Sequence, residues 1–371
     1  MKVLYIANYR DGSGWANAAL HNIMALDKAG VDVVPRAITF NRKNGIVPPK
    51  VALLEAQPST GCDVCIQHTL PSLYVYNGSF KNICMYETET RSFDDTCWSS
   101  HINMMDEAWV PNAQMVQASV GSNVRIPIKI APHCIDVSEY SNIDPTAAVT
   151  ELKNTFNFCF VGDFIHRKNL ESLLRAFHTE FHPSEPVNLF LKLSKHGCSA
   201  DECLSLFQQT ANAVKQNLKT RASYKPEVVL TGFLEKGHLL SVMSQCHCFV
   251  MPSFGEAWCI PALEAMALGM PVIYTAGTGM DYFCKGFSVD SQPSPCFRGT
   301  DSLSDIYTSH TDWMTIDVRQ LQYKMREAYN MYLDDKDSYL SLSKECVKRA
   351  HEYDIEPVGQ KLKELLYDSQ G

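Results

Sequence analysis

The sequence predicts an α/β fold of two doubly wound parallel sheets. Three observations carry this: the chain's length, the strand, turn, helix and strand order over residues 3–37, and the return of that order from residue 156. At 371 residues the chain exceeds the size at which one hydrophobic core usually stops growing, so two domains are expected. Hydrophobic residues make up 45% and charged residues 20%, the usage of a chain that folds throughout rather than one with long low-complexity tracts.

The first half opens with a short apolar strand over residues 3–7. Asp11, Gly12, Ser13 and Gly14 then turn the chain into an alanine- and leucine-rich helix over 15–28, and Gly30 closes it ahead of an alternating strand over 31–37. Such a unit has a right-handed crossover and starts a parallel sheet. Further strands are expected over 64–67, 83–86, 107–110 and 128–131. Residues 138–154, with Asn142, Asp144, Pro145 and Thr146, are polar and turn-rich, the composition of a boundary. In the second half, strands over 156–161, 187–193, 228–231, 246–251 and 272–275 accompany helices over 170–177 and 319–332. The expected division is an amino-terminal domain over 1–140, a linker over 141–154, a carboxyl-terminal domain over 155–350, and a helix over 351–371 packing back on the first domain. Open parallel sheets bind ligands beyond the carboxyl ends of their strands, so two of them facing a central cleft would hold a ligand there.

The formal net charge of -8 gives no whole-chain electrostatic reason to expect nucleic acid or an anionic membrane as partner. The first strand starts almost at the initiator Met, with no room for a signal peptide, and no apolar stretch reaches the roughly 18 residues of a spanning helix. A cytoplasmic protein without a transmembrane segment is expected. The 14 cysteines are scattered and read as buried thiols. Cys62 and Cys65 form the only C-x-x-C, and with Cys246, His247 and Cys248 they suggest zinc only weakly, because residues three apart in a strand point to opposite faces. Asp335 and Asp337 make the only D-x-D, in a polar stretch that reads as a turn. No metal site and no cofactor are expected.

The most informative stretch is residues 249–275, FVMPSFGEAWCIPALEAMALGMPVIYT, which reads as strand, loop, helix, stop and strand. Pro261 suits a first helical turn, and Gly269 with Pro271 ends the helix. Free amides at such a helix start, with roughly half a positive charge, suit a diphosphate, and Gly255 lets backbone approach it. Glu256 and Glu264 could be read as the acid and base of a glycoside hydrolase. Eight residues of helix, however, rise roughly 12 Å, against the ~5–5.5 Å between the carboxylates of retaining hydrolases. The two glutamates are therefore expected to touch different parts of one elongated ligand.

This stretch resembles the F-G-E-x-x-x-x-P-x-L-E-A-M-A-x-G-x-P-V-I pattern of glycosyltransferase family 4, with Glu256 and Glu264 on its E-x7-E signature. The resemblance implies a GT-B architecture of two Rossmann-like domains, and a retaining transfer of sugar from a nucleotide diphosphate donor. It implies that Glu256 stands at the transferred sugar as a catalytic residue and that Glu264 binds the ribose. Gly255, Ala257, Trp258, Cys259 and Ile260 line the donor in this reading. A second segment, VGDFIHRKNLESLLRAF, resembles V-G-R-x-x-x-x-K-G-x-x-x-L-L-x-A-F, which places Gly162 and the phosphate-binding lysine, Lys168, at the donor. The family's arginine is Asp163 here, which would repel a diphosphate, and Arg167 beside Lys168 is the residue left to compensate. Gly232 and Phe233, beyond the strand over 228–231, are counted with the donor contacts.

In the first half, MYETET at 85–90, DEAWVPNAQM at 106–115 and APHCID at 131–136 resemble the family's W-E-T, D-E-V-W-V-P-S and P-H-G-V-D segments, with Cys134 in place of a glycine. Gly14 in the first glycine turn is expected at the donor phosphate, and Trp15 and His68 at the acceptor. Glu87 is a second catalytic candidate, although a histidine or glutamate at a strand end is commonly only a hydrogen-bonded structural residue. The implied partner is a UDP- or GDP-sugar, with leaving-group charge met by Lys168, Arg167 and the helix start rather than by metal. The acceptor stays open among glycan, lipid, small molecule, protein and modified nucleic acid. The departures at Asp163 and Cys134 keep alive a non-catalytic binder of the same fold, and the shared architecture keeps alive a nucleotide-sugar epimerase or a phosphorylase.

Overall fold

The structure, a computed structural model, describes residues 1–40, 45–141, 143, 149–297 and 306–368. Asn142, Asp144, Pro145 and Thr146, singled out for the linker, lie outside the described residues. The chain divides into two compact units: unit 1 comprises Met1–Val137 with the segment from Glu352 onward, and unit 2 comprises Ser138–His351.

Unit 1 carries a six-stranded parallel sheet of β1 (Lys2–Ala7), β2 (Asp32–Ala37), β3 (Val64–His68), β4 (Lys81–Met85), β5 (Glu107–Val110) and β6 (Ile128–Ile130). Their order across the sheet is β2-β1-β3-β4-β5-β6, so the winding reverses between β1 and β3. Helix α1 (Gly14–Lys28) starts where Ser13 accepts the Ala16 amide on its hydroxyl at 3.1 Å. Helices α2 (Pro49–Glu55), α3 (Trp98–Ile102) and α4 (Ala113–Gly121) follow, the last capped by Asn112. Val3, Ile23, Leu26, Val33, Ile66, Ile83 and Trp109 form the core between sheet and helices.

Unit 2 repeats the plan with β7 (Phe156–Asp163), β8 (Val187–Ser194), β9 (Val228–Thr231), β10 (Cys248–Met251), β11 (Val272–Thr275) and β12 (Gly286–Val289). The order is β12-β11-β10-β7-β8-β9, again all parallel, with the reversal between β7 and β10. An antiparallel ribbon, β13 (Ser291–Pro295) and β14 (Asp312–Ile316), is added beyond the sheet. The helices are α5 (Leu170–Glu180), α6 (Ala200–Leu218), α7 (Lys236–Met243), α8 (Ile260–Ala267), α9 (Val318–Asp334) and α10 (Lys336–His351). The long helix α6 was not among the expected elements, although a complete capping box of Ser199 and Glu202 starts it. The strand expected over 246–251 begins only at Cys248, because the Cys246 amide turns back to the Met243 carbonyl at 2.8 Å.

After unit 2 the chain returns to unit 1 as α11 (Ile355–Asp368), which lies along α1 and buries Val358, Leu362 and Leu366 in the unit 1 core. Among the described residues, no helix is long and apolar enough to cross a membrane.

Candidate functional site

A doubly wound sheet opens a crevice where its strand order reverses, beyond the carboxyl ends of the two strands there. In unit 2 these are β7 and β10. Beyond β7, Phe164 and Ile165 lead into a single 3-10 turn, His166–Lys168, and Asn169 takes a left-handed φ of 54° to start α5. Asn169 donates its side-chain amide to the Pro252 carbonyl at 2.9 Å, and the Phe254 amide donates to the Arg167 carbonyl at 2.8 Å. These bonds lock the loop after β7 to the loop after β10.

The lock brings Arg167, Lys168 and Glu256 together. Lys168 Nζ donates to Glu256 Oε1 at 2.7 Å, and an Arg167 terminal nitrogen donates to the same oxygen at 3.1 Å and to the Gly255 carbonyl. The three side chains are only 6–13% exposed. Burial alone would raise the Glu256 carboxyl, but the charges of Lys168 and Arg167 outweigh it and hold the group below its ordinary value. Two cations thus converge on one carboxylate oxygen. Gly162, at the end of β7, lies beside Lys168, where a Cβ would make only ordinary contacts, 3.4 Å from the Phe160 ring and 3.8 Å from the lysine Cε. Asp163 turns to β8 and accepts the Ser194 hydroxyl at 2.5 Å.

Cys259 precedes α8 with a φ of 87°, a left-handed conformation that aims the chain into the helix. Its carbonyl accepts the Ala262 and Leu263 amides, while among the described residues no acceptor lies on the Cys259 or Ile260 amide. The start of α8 therefore offers free donors. Ala257 and Trp258 are buried, and the Trp258 indole stacks on Phe283 at 4.7 Å, so neither presents a side chain outward. Glu264, on α8, accepts the Tyr140 hydroxyl at 2.9 Å, with Lys236 Nζ 4.0 Å away. Burial raises its carboxyl, partly countered by Lys236 and Tyr140. Lys236 is also paired with Glu139. Gly232 and Phe233 are not gathered into this cluster: Gly232 takes a φ of 82° against Ala200, and Phe233 projects into solvent, 85% exposed. Sequence reasoning missed Tyr140, Lys236 and Gly279. The Gly279 amide donates to the Glu256 carbonyl at 2.7 Å, and a side chain there would run into the Ala257 carbonyl.

In unit 1 the reversal lies between β1 and β3. His68 ends β3, Glu87 follows β4 and His133 follows β6. Glu87 Oε1 is 2.9 Å from His68 Nε2 and 2.7 Å from His133 Nε2. Tyr5 Oη lies 2.9 Å from His68 Nδ1, and the Asn22 amide 3.4 Å from His133 Nδ1. The two imidazoles stack at 5.6 Å, and Trp15 lies tilted 6.1 Å from His68, just after Gly14 opens α1. Burial would raise the Glu87 carboxyl, yet the two histidines push it far below the ordinary carboxylate range. Glu87 is enclosed: one oxygen faces both imidazoles, and Oε2 is buried without a hydrogen-bond partner. His133 was overlooked inside APHCID, next to Cys134, which is fully buried in the core. The expectation of no metal-ligand set also overlooked this group, whose three ligand atoms lie within 4.8 Å of one another.

Two parallel six-stranded sheets in these orders, each flanked by helices, make the fold that of the GT-B glycosyltransferases. The sequence profile of the family described as "Glycosyl transferases group 1" matches residues 146–287, the stretch that carries Arg167, Lys168, Glu256 and Glu264. Among solved structures, HepE of Anabaena in complex with UDP and glucose is similar over 99% of this chain and 100% of its own, at 12% identity and a TM-score of 0.68. Sucrose-phosphate synthase of Thermosynechococcus elongatus is similar over 99% of both chains, at 15% identity and a TM-score of 0.66. A UDP-forming α,α-trehalose-phosphate synthase of Burkholderia xenovorans is similar over 100% of this chain and 99% of its own, at 11% identity and a TM-score of 0.66. At such identities the likeness is one of fold. No curated protein sequence matches the chain.

Proposed function

We propose that this protein transfers a hexose from a nucleotide diphosphate sugar to an acceptor hydroxyl, with retention of anomeric configuration. The observation that carries the reading is the convergence of Arg167 and Lys168 on Glu256 beside the free amides that open α8, with Glu264 eight residues further on. An anion-binding set of this kind suits a diphosphate, because permanent cations and helix-start donors oppose the charge that grows on the leaving group. No metal ion is needed at the diphosphate in this mechanism. UDP is the favoured nucleotide, since HepE is described with UDP and the trehalose-phosphate synthase as UDP-forming.

The bond from the sugar C1 to the diphosphate oxygen breaks first, leaving positive charge on C1 and the electron pair on the departing diphosphate. Lys168 and Arg167 exchange part of their hold on Glu256 for the phosphate oxygens, and the Glu256 carboxylate remains beside the sugar. The acceptor oxygen bonds to C1 from the face the diphosphate leaves, and its proton passes to the leaving phosphate oxygen. Glu264 accepts hydrogen bonds from the ribose hydroxyls, as the motif resemblance implies. The test is thermal stabilisation by UDP, GDP and ADP in EDTA, for the wild type and Glu264→Ala. A nucleotide at a hundred times its Kd adds about 2.7 kcal/mol of stability. Stabilisation by UDP that the variant loses supports the reading, and the absence of stabilisation by every nucleotide ends it. NMR of the product's anomeric proton then decides retention.

A further inference from the structure

The cluster of His68, Glu87 and His133 has a chemistry that the donor reading does not use. We infer that these three residues form a binding site for one divalent transition-metal ion of the zinc class. The site lies wholly within unit 1 and rests on none of the chemistry proposed for unit 2.

The donor set is two imidazole nitrogens and a carboxylate oxygen. Imidazole favours zinc and its neighbours, whereas magnesium and calcium take oxygen ligands, so the set selects a transition metal. Two histidines and one glutamate are also a known ligand set for zinc with one position left open. The three residues lie at or just beyond the carboxyl ends of β3, β4 and β6 of one parallel sheet, and their side chains are 1%, 5% and 3% exposed. Ligands held this way need little rearrangement to bind.

The apo arrangement leaves a deficit that an ion removes. Glu87 Oε1 is crowded by both Nε2 atoms, while among the described residues no protein donor reaches the buried Oε2. A buried carboxylate oxygen without a partner is costly, and a divalent cation on the carboxylate compensates the charge of the whole group. The distances also fit. Ligand atoms roughly 2.0–2.1 Å from a tetrahedral ion stand about 3.3 Å apart. The nitrogen-to-oxygen distances of 2.7 and 2.9 Å have to open by about half an ångström, while the two nitrogens, within 4.8 Å of each other, have to close toward the ion.

A second layer of residues orients the ligands. Tyr5 Oη holds His68 Nδ1, and the Asn22 amide, which accepts once turned over, faces His133 Nδ1. Both rings are thereby fixed with Nε2 toward Glu87, the outer-partner arrangement that ligating histidines show.

The test uses the full chain, stripped with EDTA, freed of chelator and titrated with zinc chloride by calorimetry, with cobalt(II) absorption reporting ligand type. The expected result is one ion per chain, a rise in Tm, and a cobalt spectrum of nitrogen and oxygen ligation without thiolate charge transfer. His133→Gln and Glu87→Gln should abolish the tight site, and Tyr5→Phe should weaken it about 10-fold. Wild-type zinc affinity no greater than that of cooperatively melting His133→Gln overturns the inference. A thiolate cobalt spectrum, pointing to some of the 14 cysteines, also overturns it, and does so without any variant. Nucleotide stabilisation persisting in EDTA shows that the two readings stand or fall separately.

Discussion

Each unit buries a glutamate beyond the carboxyl end of a strand, Glu256 after β10 and Glu87 after β4, and each glutamate receives two partners on a single oxygen. In unit 2 the partners of Glu256 are Lys168 and Arg167, whose charges persist over any working pH. In unit 1 the partners of Glu87 are His68 and His133, whose charge depends on protons. One folding plan therefore yields different sites: unit 2 gathers two cations on a carboxylate, while unit 1 sets two imidazoles on a carboxylate whose second oxygen meets no donor among the described residues. The choice of partner side chain, not the position in the fold, makes the difference.

The comparison breaks most sharply at Glu256. Glu256→Ala leaves two cations facing each other in a site nearly closed to water, and should cost about 3–5 kcal/mol in urea unfolding. If the cost is near zero, the unit 2 cluster is not the desolvated ion group described here. Next in size is Lys168→Ala, which should lower kcat/KM by about 10²–10³-fold, the cost of losing one preorganised donor at developing charge. Tyr5→Phe in unit 1 should leave nucleotide affinity unchanged.

Acid should separate the units in order. Burial, aided by the Lys336 charge, depresses His247 in unit 2 from 6.5 to about 4. Between those values the unfolded chain binds a proton that the folded chain does not, so stability falls as pH drops from 6.5 toward 4, at up to about 1.4 kcal/mol per pH unit. His247→Phe, at a ring stacked on Phe156 and edge-on to Tyr332, should flatten that window. Glu87 acts lower: its depressed carboxyl stabilises the fold above 4.5, and that contribution is lost as pH falls further, a slope Glu87→Gln should lack. Urea midpoints at pH 7, 5.5 and 4 check the His247 window, and midpoints carried on from pH 4 to 3 check that of Glu87. The smallest effect belongs to Tyr140→Phe. It removes one hydrogen bond to Glu264, about 1 kcal/mol or some 5-fold in nucleotide Kd. The loss should be larger at pH 6 than at pH 8, because Glu264 is already raised by burial and then loses a group that lowers it.

Residues whose neighbours in space are also neighbours in sequence were legible. Glu256, Pro261, Glu264 and Gly269 sit on one strand, loop and helix, and Arg167 with Lys168 on one turn, so the unit 2 cluster needed only the pairing of two segments. His133 was not legible, because its partners His68 and Glu87 end other strands and only the strand order brings them together. Tyr140 and Gly279 escaped for the same reason. Strand periodicity revealed most of both sheets, but Pro293 and Pro295 disguised β13, which among the described residues pairs only with β14 and keeps prolines that a central strand would reject. Phe233, counted with the donor contacts, stands exposed and apart from the cluster of Arg167, Lys168 and Glu256.

Helix α11 has a consequence for how the molecule is made. Gly359 lies so close to the Ala25 carbonyl that any side chain there would collide with it, and Val358, Leu362 and Leu366 supply part of the unit 1 core. A ribosome delivers unit 1's sheet first, then the whole of unit 2, and only then this helix. The nascent first unit thus waits with an apolar wall uncovered while the second, continuous in sequence, can close on its own, so the half begun earliest is the half completed last.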